Sequence, residues 1–400
     1  MQLSARSGRI AVSPTMKVAA DAIKLKAQGV DVVDFGAGEP DFPTPAHIAA
    51  AAHRAIDANF TKYTANAGTE DLKRAIVERY RIDNGAEYSS SEVICSAGGK
   101  QALYNSVLAL FGPGDEVITH MPGWPTLVEQ IKLAEATPVI VRTQPEQGFE
   151  LTADLILSAI TARTRGIILN SPGNPTGALI SEPDLEAIAR ECARRGIWVL
   201  MDLCYDKLIY DPVPHNVIGV LARHNRERSV LCGSASKVYA MTGWRCGWAV
   251  GPAPVISACN AIQSHSTSNV CSITQKAVEA GLRGPQDCIT EMLDEYRRRR
   301  DQLCTWLSAE PRIGLTRPSG AFYLFPDVSE FLSPDGFRTS AELAAALLSD
   351  SHVALTPGEA FDAPGFLRIS YATSMKELER GSQRILEFLA TRTRARAASR

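Results

Sequence analysis

The stretch Ser234-Ala235-Ser236-Lys237, followed by Met241-Thr242-Gly243-Trp244-Arg245, decides how the rest of this sequence is interpreted. Its lysine comes shortly after the apolar run Val230-Leu231-Cys232, which predicts a buried strand. A lysine at the end of such a strand is costly to bury unless it is neutralised, paired or used covalently. A lysine in a Schiff base has lost its fixed charge, and two serines and an arginine suit a phosphate ester. The stretch therefore favours a lysine that binds a phosphorylated cofactor covalently, over a solvated surface loop.

Length and composition describe a globular protein with room for one large domain and a smaller one. The chain has 400 residues, of which 45% are hydrophobic and 22% charged, close to the average for globular proteins. Its net charge of −2 gives no reason to expect a nucleic-acid or membrane partner, and no apolar run is long enough to cross a bilayer. The nine cysteines are scattered without a C-x-x-C pair, and the N-terminus lacks the apolar segment of a secretory signal. We therefore expect a cytoplasmic protein with reduced cysteines and no metal site.

Strands and helices alternate along the middle of the chain. The predicted strands are Val93–Ser96, Glu116–Thr119, Pro138–Arg142, Gly166–Asn170, Trp198–Met201, Val230–Cys232 and Trp248–Val250. The predicted helices between them are Gln101–Phe111, Trp124–Ala134, Asp154–Ile160 and Ser181–Arg195. Short apolar strands separated by helices of this length predict a mainly parallel sheet covered on both faces, which is an α/β architecture.

From about Gly281 the pattern changes to a long helix and then a mixture of short strands and helices. The long helix is predicted over Gln286–Ser308, and its Arg297-Arg298-Arg299-Arg300 run is interpreted as a solvated helix face. The mixed segment is predicted to contain strands near Leu315, Ala321–Phe325, Val353–Thr356 and Leu367–Tyr371 and helices Ser340–Ser349 and Met375–Ala390. We predict a smaller α+β domain over 282–400, a large cofactor-binding domain over 46–281, and an N-terminal arm with part of the small domain over 1–45.

Three motifs at predicted strand ends carry candidate cofactor contacts. Asp202 follows the strand Trp198–Met201, where open α/β sheets bind ligands, and a carboxylate there could hold a pyridine nitrogen protonated. Asn174, in the loop Asn170–Gly177, offers an amide to a phenolate-like oxygen. Ser96-Ala97-Gly98-Gly99-Lys100 opens a helix whose first N–H groups suit a phosphate. Taken singly, these features also fit a helix N-cap, a turn residue and an ordinary helix start.

Two further side chains are candidates for ligand contact. Trp124, in Pro122-Gly123-Trp124-Pro125, could stack on a flat ring, and the alternative is a core tryptophan at a helix start. Arg368 interrupts the apolar strand Leu367–Tyr371, and a buried arginine needs a partner. A substrate carboxylate offers bidentate pairing, whereas a structural salt bridge is the equally weighted alternative.

Together these motifs resemble the class I/II aminotransferases, which are pyridoxal-phosphate enzymes of fold type I, and most of all the bacterial aspartate/prephenate aminotransferase subgroup. The stretches that carry the resemblance are GAGEPDFPTP, KYTANAG, SAGGKQALYN, NSPGNPTGA, SASKVYAMTGWRCGWAVGP, YRRRRDQL, RPSGAFY and LRISYATS. The resemblance implies a large domain with a mainly parallel seven-stranded sheet and a smaller α+β domain. It also implies a homodimer whose substrates are small molecules, namely amino acids and 2-oxo acids.

The resemblance also implies a role for each site residue. Lys237 would form the Schiff base with pyridoxal 5′-phosphate, with Asp202 on the pyridine nitrogen and Tyr205 and Asn174 on the ring oxygen. Other cofactor contacts would come from Gly98, Gly99, Lys100, Trp124, Ser234, Ser236 and Arg245, and from Tyr63 of the neighbouring subunit. The substrate would meet Gly38, Lys100, Trp124, Asn174 and the carboxylate-binding Arg368.

The expected reaction is amino-group transfer from aspartate or glutamate to 2-oxoglutarate, oxaloacetate or prephenate. Two stretches depart from the related pattern: Asp202-Leu203-Cys204-Tyr205 replaces Asp-Glu-x-Tyr, and Gly123-Trp124-Pro125-Thr126-Leu127 replaces Tyr-Trp-Val-Ser-Tyr. The second departure lies beside the expected substrate, so an aromatic or other aminotransferase, or a carbon–sulfur lyase on the same scaffold, stays open. A regulator built on a degenerate aminotransferase domain is disfavoured, because Lys237, Asp202 and Arg368 are all present.

Overall fold

The structure is a computed structural model that describes Ser4, residues 7–11 and residues 14–398. The α-helices in these ranges are α1 Pro14–Ala27, α2 Ala46–Asp57, α3 Glu70–Asn84, α4 Gly99–Leu110, α5 Pro125–Leu133, α6 Ala153–Leu157, α7 Glu182–Arg195, α8 Val217–His224, α9 Ala235–Val238, α10 Ala253–Ser264, α11 Ser272–Arg283, α12 Asp287–Leu307, α13 Ser340–Ser351 and α14 Met375–Ala398. The strands are β1 Val33–Asp34, β2 Val93–Ser96, β3 Glu116–Met121, β4 Thr137–Arg142, β5 Thr164–Asn170, β6 Trp198–Asp202, β7 Ser229–Ser234, β8 Gly247–Val250, β9 Tyr323–Leu324, β10 Val353–Ala354, β11 Thr356–Pro357 and β12 Leu367–Ser370. None of these helices has the length and apolar character that a bilayer-spanning segment needs.

A seven-stranded sheet with the order β2-β8-β7-β6-β5-β3-β4 forms the centre of the larger part of the molecule. The five strands β7, β6, β5, β3 and β4 are parallel to one another, and β8 runs antiparallel to both β2 and β7. Its central strands are apolar throughout because helices cover both faces, and Val199, Leu200 and Met201 are fully buried. The predicted α/β class is confirmed. The sequence did not predict α8, α10 or α11.

A second hydrophobic core lies between α12, α13, α14 and the short strands of the C-terminal part. Strands β11, β12 and β9 form an antiparallel sheet, and β10 pairs with β1 near the start of the chain. This core takes in Val33 and Phe35, so the early chain packs with the late chain. The strand predicted near Leu315 is wrong, because Gly314 forms only an isolated bridge with Asp327. The predicted boundaries at 45 and 281 stay predictions, and the start of the arm lies partly outside the described residues.

The prediction that Arg297–Arg300 is a solvated helix face is wrong for two of its members. Arg300 is fully buried and Arg299 is 6% exposed. Arg299 pairs with Asp41 at 2.7 Å, and Arg300 pairs with Asp211 at 3.1 Å. A run of four residues covers more than one helical turn, so some members must face inward, and buried guanidinium groups are tolerated when carboxylates pair with them. Arg299 therefore anchors the segment Gly36–Asp41, which contains two glycines.

Candidate active site

A cavity of about 480 Å³ lies at the carboxyl ends of β5, β6 and β7. Sheet register brings these ends together: Asn170 pairs with Asp202, and Asp202 pairs with Cys232, two residues before Ser234. Most of the candidate residues line this one cavity, namely Gly38, Gly99, Lys100, Trp124, Asn174, Asp202, Tyr205, Ser234, Ser236, Lys237, Arg245 and Arg368. The structure therefore brings most of the predicted site residues together around one cavity.

Asp202 ends β6 and is almost completely buried. Its Oδ1 accepts a hydrogen bond from the backbone N–H of Cys204 at 3.0 Å, and Asn170 donates to its backbone carbonyl at 3.2 Å. The departure at Leu203 leaves this contact intact because the donor is the main-chain N–H of Cys204. Burial raises the pKa of Asp202 to about 7. The next α-helix begins only at Val217, so Asp202 is not a helix N-cap and its carboxyl is available to hold or release a proton.

Lys237 lies in the one-turn helix α9, which directly follows β7. Its Nζ donates a hydrogen bond to the backbone carbonyl of Gly38, and within the described residues it has no carboxylate partner. Burial lowers the pKa of this amine, which favours the neutral form. A neutral amine can act as a nucleophile toward an aldehyde and as a base.

The segment from Ala97 to the first turn of α4 forms a cradle with the loop that contains Arg245. Gly98 has φ +89°, which favours glycine, and a Cβ there would come within 2.5 Å of Arg245 Nη2, so a side chain would displace that guanidinium. Arg245 Nη2 donates to the carbonyl of Ala97 at 3.2 Å. Ser234 and Ser236 join their hydroxyl groups at 2.8 Å at the end of β7. We call the segment 97–99, Ser234, Ser236 and Arg245 the phosphate cradle, because hydroxyls, a guanidinium and helix N-terminal N–H groups suit a phosphate ester.

Arg368 in β12 is 3% exposed and carries three hydrogen bonds to the protein. Its guanidinium donates to Asn174 Oδ1 at 3.1 Å, to the carbonyl of Gly36 at 2.8 Å and to Thr356 Oγ1 at 3.4 Å. The described residues supply no carboxylate partner, and Nε has no hydrogen-bond partner among them. The alternative of a structural salt bridge is therefore not supported. Since arginine has five N–H donors, two remain for a ligand carboxylate.

The cavity lining also includes residues that were not predicted as site residues, among them Tyr323, Glu39 and Asn170. Tyr323 shares a 2.8 Å hydrogen bond between its hydroxyl and that of Tyr205. Glu39 accepts a 2.7 Å hydrogen bond from Thr242. Asn170 accepts the backbone N–H of Asn174 at 3.1 Å and so fixes the start of that loop. Each lies in a stretch that the sequence had singled out, but no local signal distinguished these side chains from their neighbours.

Two predicted residues lie outside the cavity lining. Gly98 lies behind Arg245, where it shapes the cradle without facing the cavity. Tyr63 is 91% exposed on the surface of its own chain. Lys100 and Trp124 do line the cavity, and Lys100 Nζ lies 4.9 Å from the centre of the Trp124 ring.

The chain matches the family model for aminotransferase class I and II over residues 30–385. It is 40% identical to an aspartate aminotransferase from Bacillus sp. (strain YM-2), over 97% of this chain and 99% of that protein. The chain belongs to the class I and II aminotransferases. An aspartate/prephenate aminotransferase from Cereibacter sphaeroides is 41% identical to it, over 97% of this chain and 98% of that protein. The solved structure of an aspartate aminotransferase from Rhizobium meliloti matches with a TM-score of 0.91 and 40% identity, covering 96% of this chain and 98% of that one.

Aminotransferases of this family transfer amino groups between amino acids and 2-oxo acids with pyridoxal 5′-phosphate, so the predicted family, fold, amino-group transfer and cofactor are confirmed. The cavity fits this cofactor. The phosphate cradle offers hydroxyl and guanidinium donors beside a glycine turn that a Cβ would block. Lys237 and Asp202 line the same cavity, with an amine for the aldehyde and a buried carboxyl for the pyridine nitrogen. The individual roles of these residues remain predictions.

Proposed function

We propose that this aminotransferase exchanges an amino group between aspartate or glutamate and 2-oxoglutarate or oxaloacetate, with prephenate as a further acceptor. The observation that carries the proposal is a set of four basic side chains around one cavity: Lys100, Lys237, Arg245 and Arg368. Within the described residues none of them forms an ion pair with a protein carboxylate. Lys237 is assigned to the cofactor aldehyde, Arg245 to the phosphate and Arg368 to one carboxylate, which leaves Lys100 for a second carboxylate.

Lys100 is suited to a distal carboxylate because of where it lies. It is the second residue of α4, where a positive charge opposes the helix dipole. Burial, and then the charge of Arg245, lower the pKa of Lys100, so an anion beside it would be stabilising. The relatives named aspartate aminotransferase and aspartate/prephenate aminotransferase support a dicarboxylic substrate for this chain as well.

The side chains of the cavity divide the work of the reaction. Bound pyridoxal 5′-phosphate supplies an electron sink that lets the substrate's α-hydrogen leave as a proton. Lys237 Nζ takes that proton from the α-carbon and delivers it to the C4′ carbon of the cofactor. Asp202 holds a proton at the pyridine nitrogen, and Tyr205 and Asn174 orient the ring oxygen. Arg368 holds the α-carboxylate so that the α-carbon stays within reach of Lys237.

A donor panel with Lys100→Ala tests the substrate. The wild type should prefer aspartate and glutamate over alanine and aromatic donors. Loss of one charge-assisted bond should lower kcat/KM for aspartate by roughly ten- to hundredfold and leave alanine nearly unchanged. Lys132→Ala is the matched control, because Lys132 pairs with Glu129 on α5 and does not line the cavity.

Two outcomes would contradict the proposal. A wild type that prefers neutral or aromatic donors has a different substrate class, and the aminotransferase assignment still stands. Pyruvate and ammonia formed from an amino acid without any 2-oxo acid acceptor would show a lyase.

We also propose a cytoplasmic homodimer whose sites are shared between subunits. Tyr63 is almost fully exposed, yet the loop that carries it is firmly held. Asn66 donates to Asn260 Oδ1 at 2.6 Å, and Gln275 donates to Thr64 Oγ1 at 2.9 Å. An exposed aromatic side chain on a loop held in this way, outside the lining of its own cavity, is suited to reach a second copy. The nine cysteines are all free, as a reducing compartment favours.

Subunit mixing tests the shared site. Tyr63→Ala and Lys237→Ala proteins should each be strongly impaired, whereas a mixture should recover about a quarter of wild-type activity, since half of random dimers are mixed and each has one intact site. Lys237→Ala mixed with Asp202→Asn is the control and should recover nothing, because both residues act within one chain. Absence of recovery after demonstrated subunit exchange would show that Tyr63 does not serve the partner.

A further inference from the structure

Gln263 in α10 lies outside the cavity, yet it joins the two elements that meet at the phosphate cradle. It is fully buried. Its Oε1 accepts hydrogen bonds from Ser96 Oγ at 2.7 Å and from Asn105 Nδ2 at 3.0 Å. Its Nε2 donates to the carbonyl of Cys95 at 2.8 Å and to the carbonyl of Asn66 at 2.9 Å. One side chain therefore contacts the end of β2, the middle of α4 and the loop that carries Tyr63.

The four hydrogen bonds use every donor and acceptor that a side-chain amide has. Because backbone carbonyls only accept, the two donated bonds also fix which way the amide points. Ser96 is the last residue of β2, and Asn105 belongs to α4. The strand and the helix are connected by residues 97–98, which are part of the phosphate cradle. Because Gln263 holds both β2 and α4, it restricts the positions that residues 97–98 can take.

The cradle has little room to adjust by itself. Gly98 is packed against the Arg245 guanidinium, and a Cβ at Gly247 would overlap the backbone of Gly98 and Gly99. A small shift of β2 relative to α4 would therefore move the N–H groups of the helix start away from Arg245. Phosphate binding by several convergent donors is sensitive to such a shift.

We propose that Gln263 is the positioning residue of the phosphate cradle. It holds the end of β2 and the start of α4 in the arrangement that lets their N–H groups and Arg245 converge on the cofactor phosphate. Through its bond to the carbonyl of Asn66, it also holds the loop that carries Tyr63 against β2 and α4. This inference rests on the pyridoxal 5′-phosphate site described above, and it assigns a role to a residue that touches neither cofactor nor substrate.

The chain offers a matched control in Gln275, which is also fully buried. Gln275 accepts the N–H of Thr69 at 2.7 Å and donates to Thr64 Oγ1 at 2.9 Å and to the carbonyl of Val270 at 2.7 Å. It therefore supports the same loop as Gln263 but has no hydrogen bond to β2 or α4. Gln→Met at either position removes a buried amide while keeping the length of the side chain.

The test measures binding to the full-length protein after removal of its cofactor, with pyridoxal 5′-phosphate and with pyridoxal, which lacks the phosphate. All variants carry Tyr63→Phe, so that the loop supplies no hydroxyl to a phosphate. Gln263→Met should lower the preference for the phosphorylated form by about tenfold, while affinity for pyridoxal changes little. Gln275→Met should leave the preference unchanged. A general loss of stability would weaken the binding of both ligands alike, so it would not change the ratio of the affinity for pyridoxal 5′-phosphate to that for pyridoxal.

Ser96→Ala provides a second route if Gln263→Met fails to fold, because it removes only one of the two bonds between Gln263 and β2, the one to the Ser96 hydroxyl. It should lower the same preference by roughly three- to tenfold. An unchanged preference in both variants, or an equal fall in Gln275→Met, would overturn the inference. A protein carrying only Tyr63→Phe that binds pyridoxal as tightly as pyridoxal 5′-phosphate would instead overturn the cofactor site on which the inference rests.

Discussion

On the cofactor side of the cavity, Asn170, Asp202 and Ser234 end three neighbouring parallel strands, and Lys237 follows one turn later. On the substrate side, Arg368 donates to the carbonyl of Gly36, which lies 332 residues away along the chain. The register of one sheet brings the first group together. The second group meets only because the early chain packs into the C-terminal core. Sheet register therefore assembles one side, and core packing assembles the other.

This difference predicts that a substitution on one side should leave ligand binding on the other side unchanged. Cofactor-side variants should lose chemistry or cofactor binding while amino acids can still reach the substrate contacts. Substrate-side variants should bind cofactor normally and fail to hold the amino acid. The predictions below test that separation in order of decreasing effect.

Lys237→Ala should have the largest effect. Removing the amine should lower turnover by roughly 10⁵-fold or more, because an oriented base is worth an effective molarity of about 10⁵ M or above. Cofactor should still bind through the phosphate cradle, without the visible absorbance of the lysine-linked form. Lys207→Ala is the control, since Lys207 pairs with Asp83 away from the cavity. Full turnover in Lys237→Ala would remove this residue from the mechanism.

The buried carboxyl of Asp202 should make the stability of the cofactor-free protein depend on pH. Burial raises its pKa from an ordinary value near 4 to about 7. A raised folded-state pKa gives stability that is complete below the unfolded pKa and is lost as pH rises toward the folded pKa. The free energy of unfolding of the wild type, relative to Asp202→Asn, should therefore fall between about pH 4 and pH 7, by up to roughly 4 kcal/mol.

Denaturant unfolding of both proteins across this range measures the difference. Half-buried Asp206, whose pKa burial raises to about 6, is present in both proteins, so its own titration contributes to both curves. With cofactor bound, the carboxylate gains a cationic ring as partner, so the penalty above pH 7 should disappear. A difference that does not change with pH would show that Asp202 is ionised throughout and that its burial is compensated within the protein.

Sequence reasoning was strong where chemistry follows a strand and weak where it depends on packing. Asp202 and Lys237 could be placed because each comes just after an apolar run, and the carboxyl ends of parallel strands meet at one edge. Tyr323 could not be placed, since its hydroxyl reaches Tyr205 only across the second core. The burial of Arg300 was missed because one-dimensional charge patterns do not show that Asp211 and the carbonyl of Pro318 lie beside it. Gln263 carries no signal at all before its four partners are known.

Arg368→Lys tests the substrate side with the least disturbance of the fold. Lysine keeps the positive charge that the buried site already accommodates, but it loses the planar fork that pairs with a carboxylate at two points. Loss of about one charge-assisted bond, with a poorer geometry for the other, should lower kcat/KM for every amino donor by roughly ten- to hundredfold. This pattern differs from that of Lys100→Ala, which should affect dicarboxylic donors alone.

Cofactor affinity should be unchanged in Arg368→Lys, and that measurement decides whether the two sides are independent. Thr356→Val is the control, since it removes the longest of the three bonds that hold Arg368 and keeps the guanidinium itself. It should cost only a few-fold in kcat/KM, as expected for a neutral hydrogen bond. Equal loss of cofactor affinity and donor efficiency in Arg368→Lys would mean that Arg368 supports the cofactor side through Asn174, whose Oδ1 accepts from it at 3.1 Å. In that case core packing and sheet register would act on one shared site, and the separation drawn between the two sides would not hold.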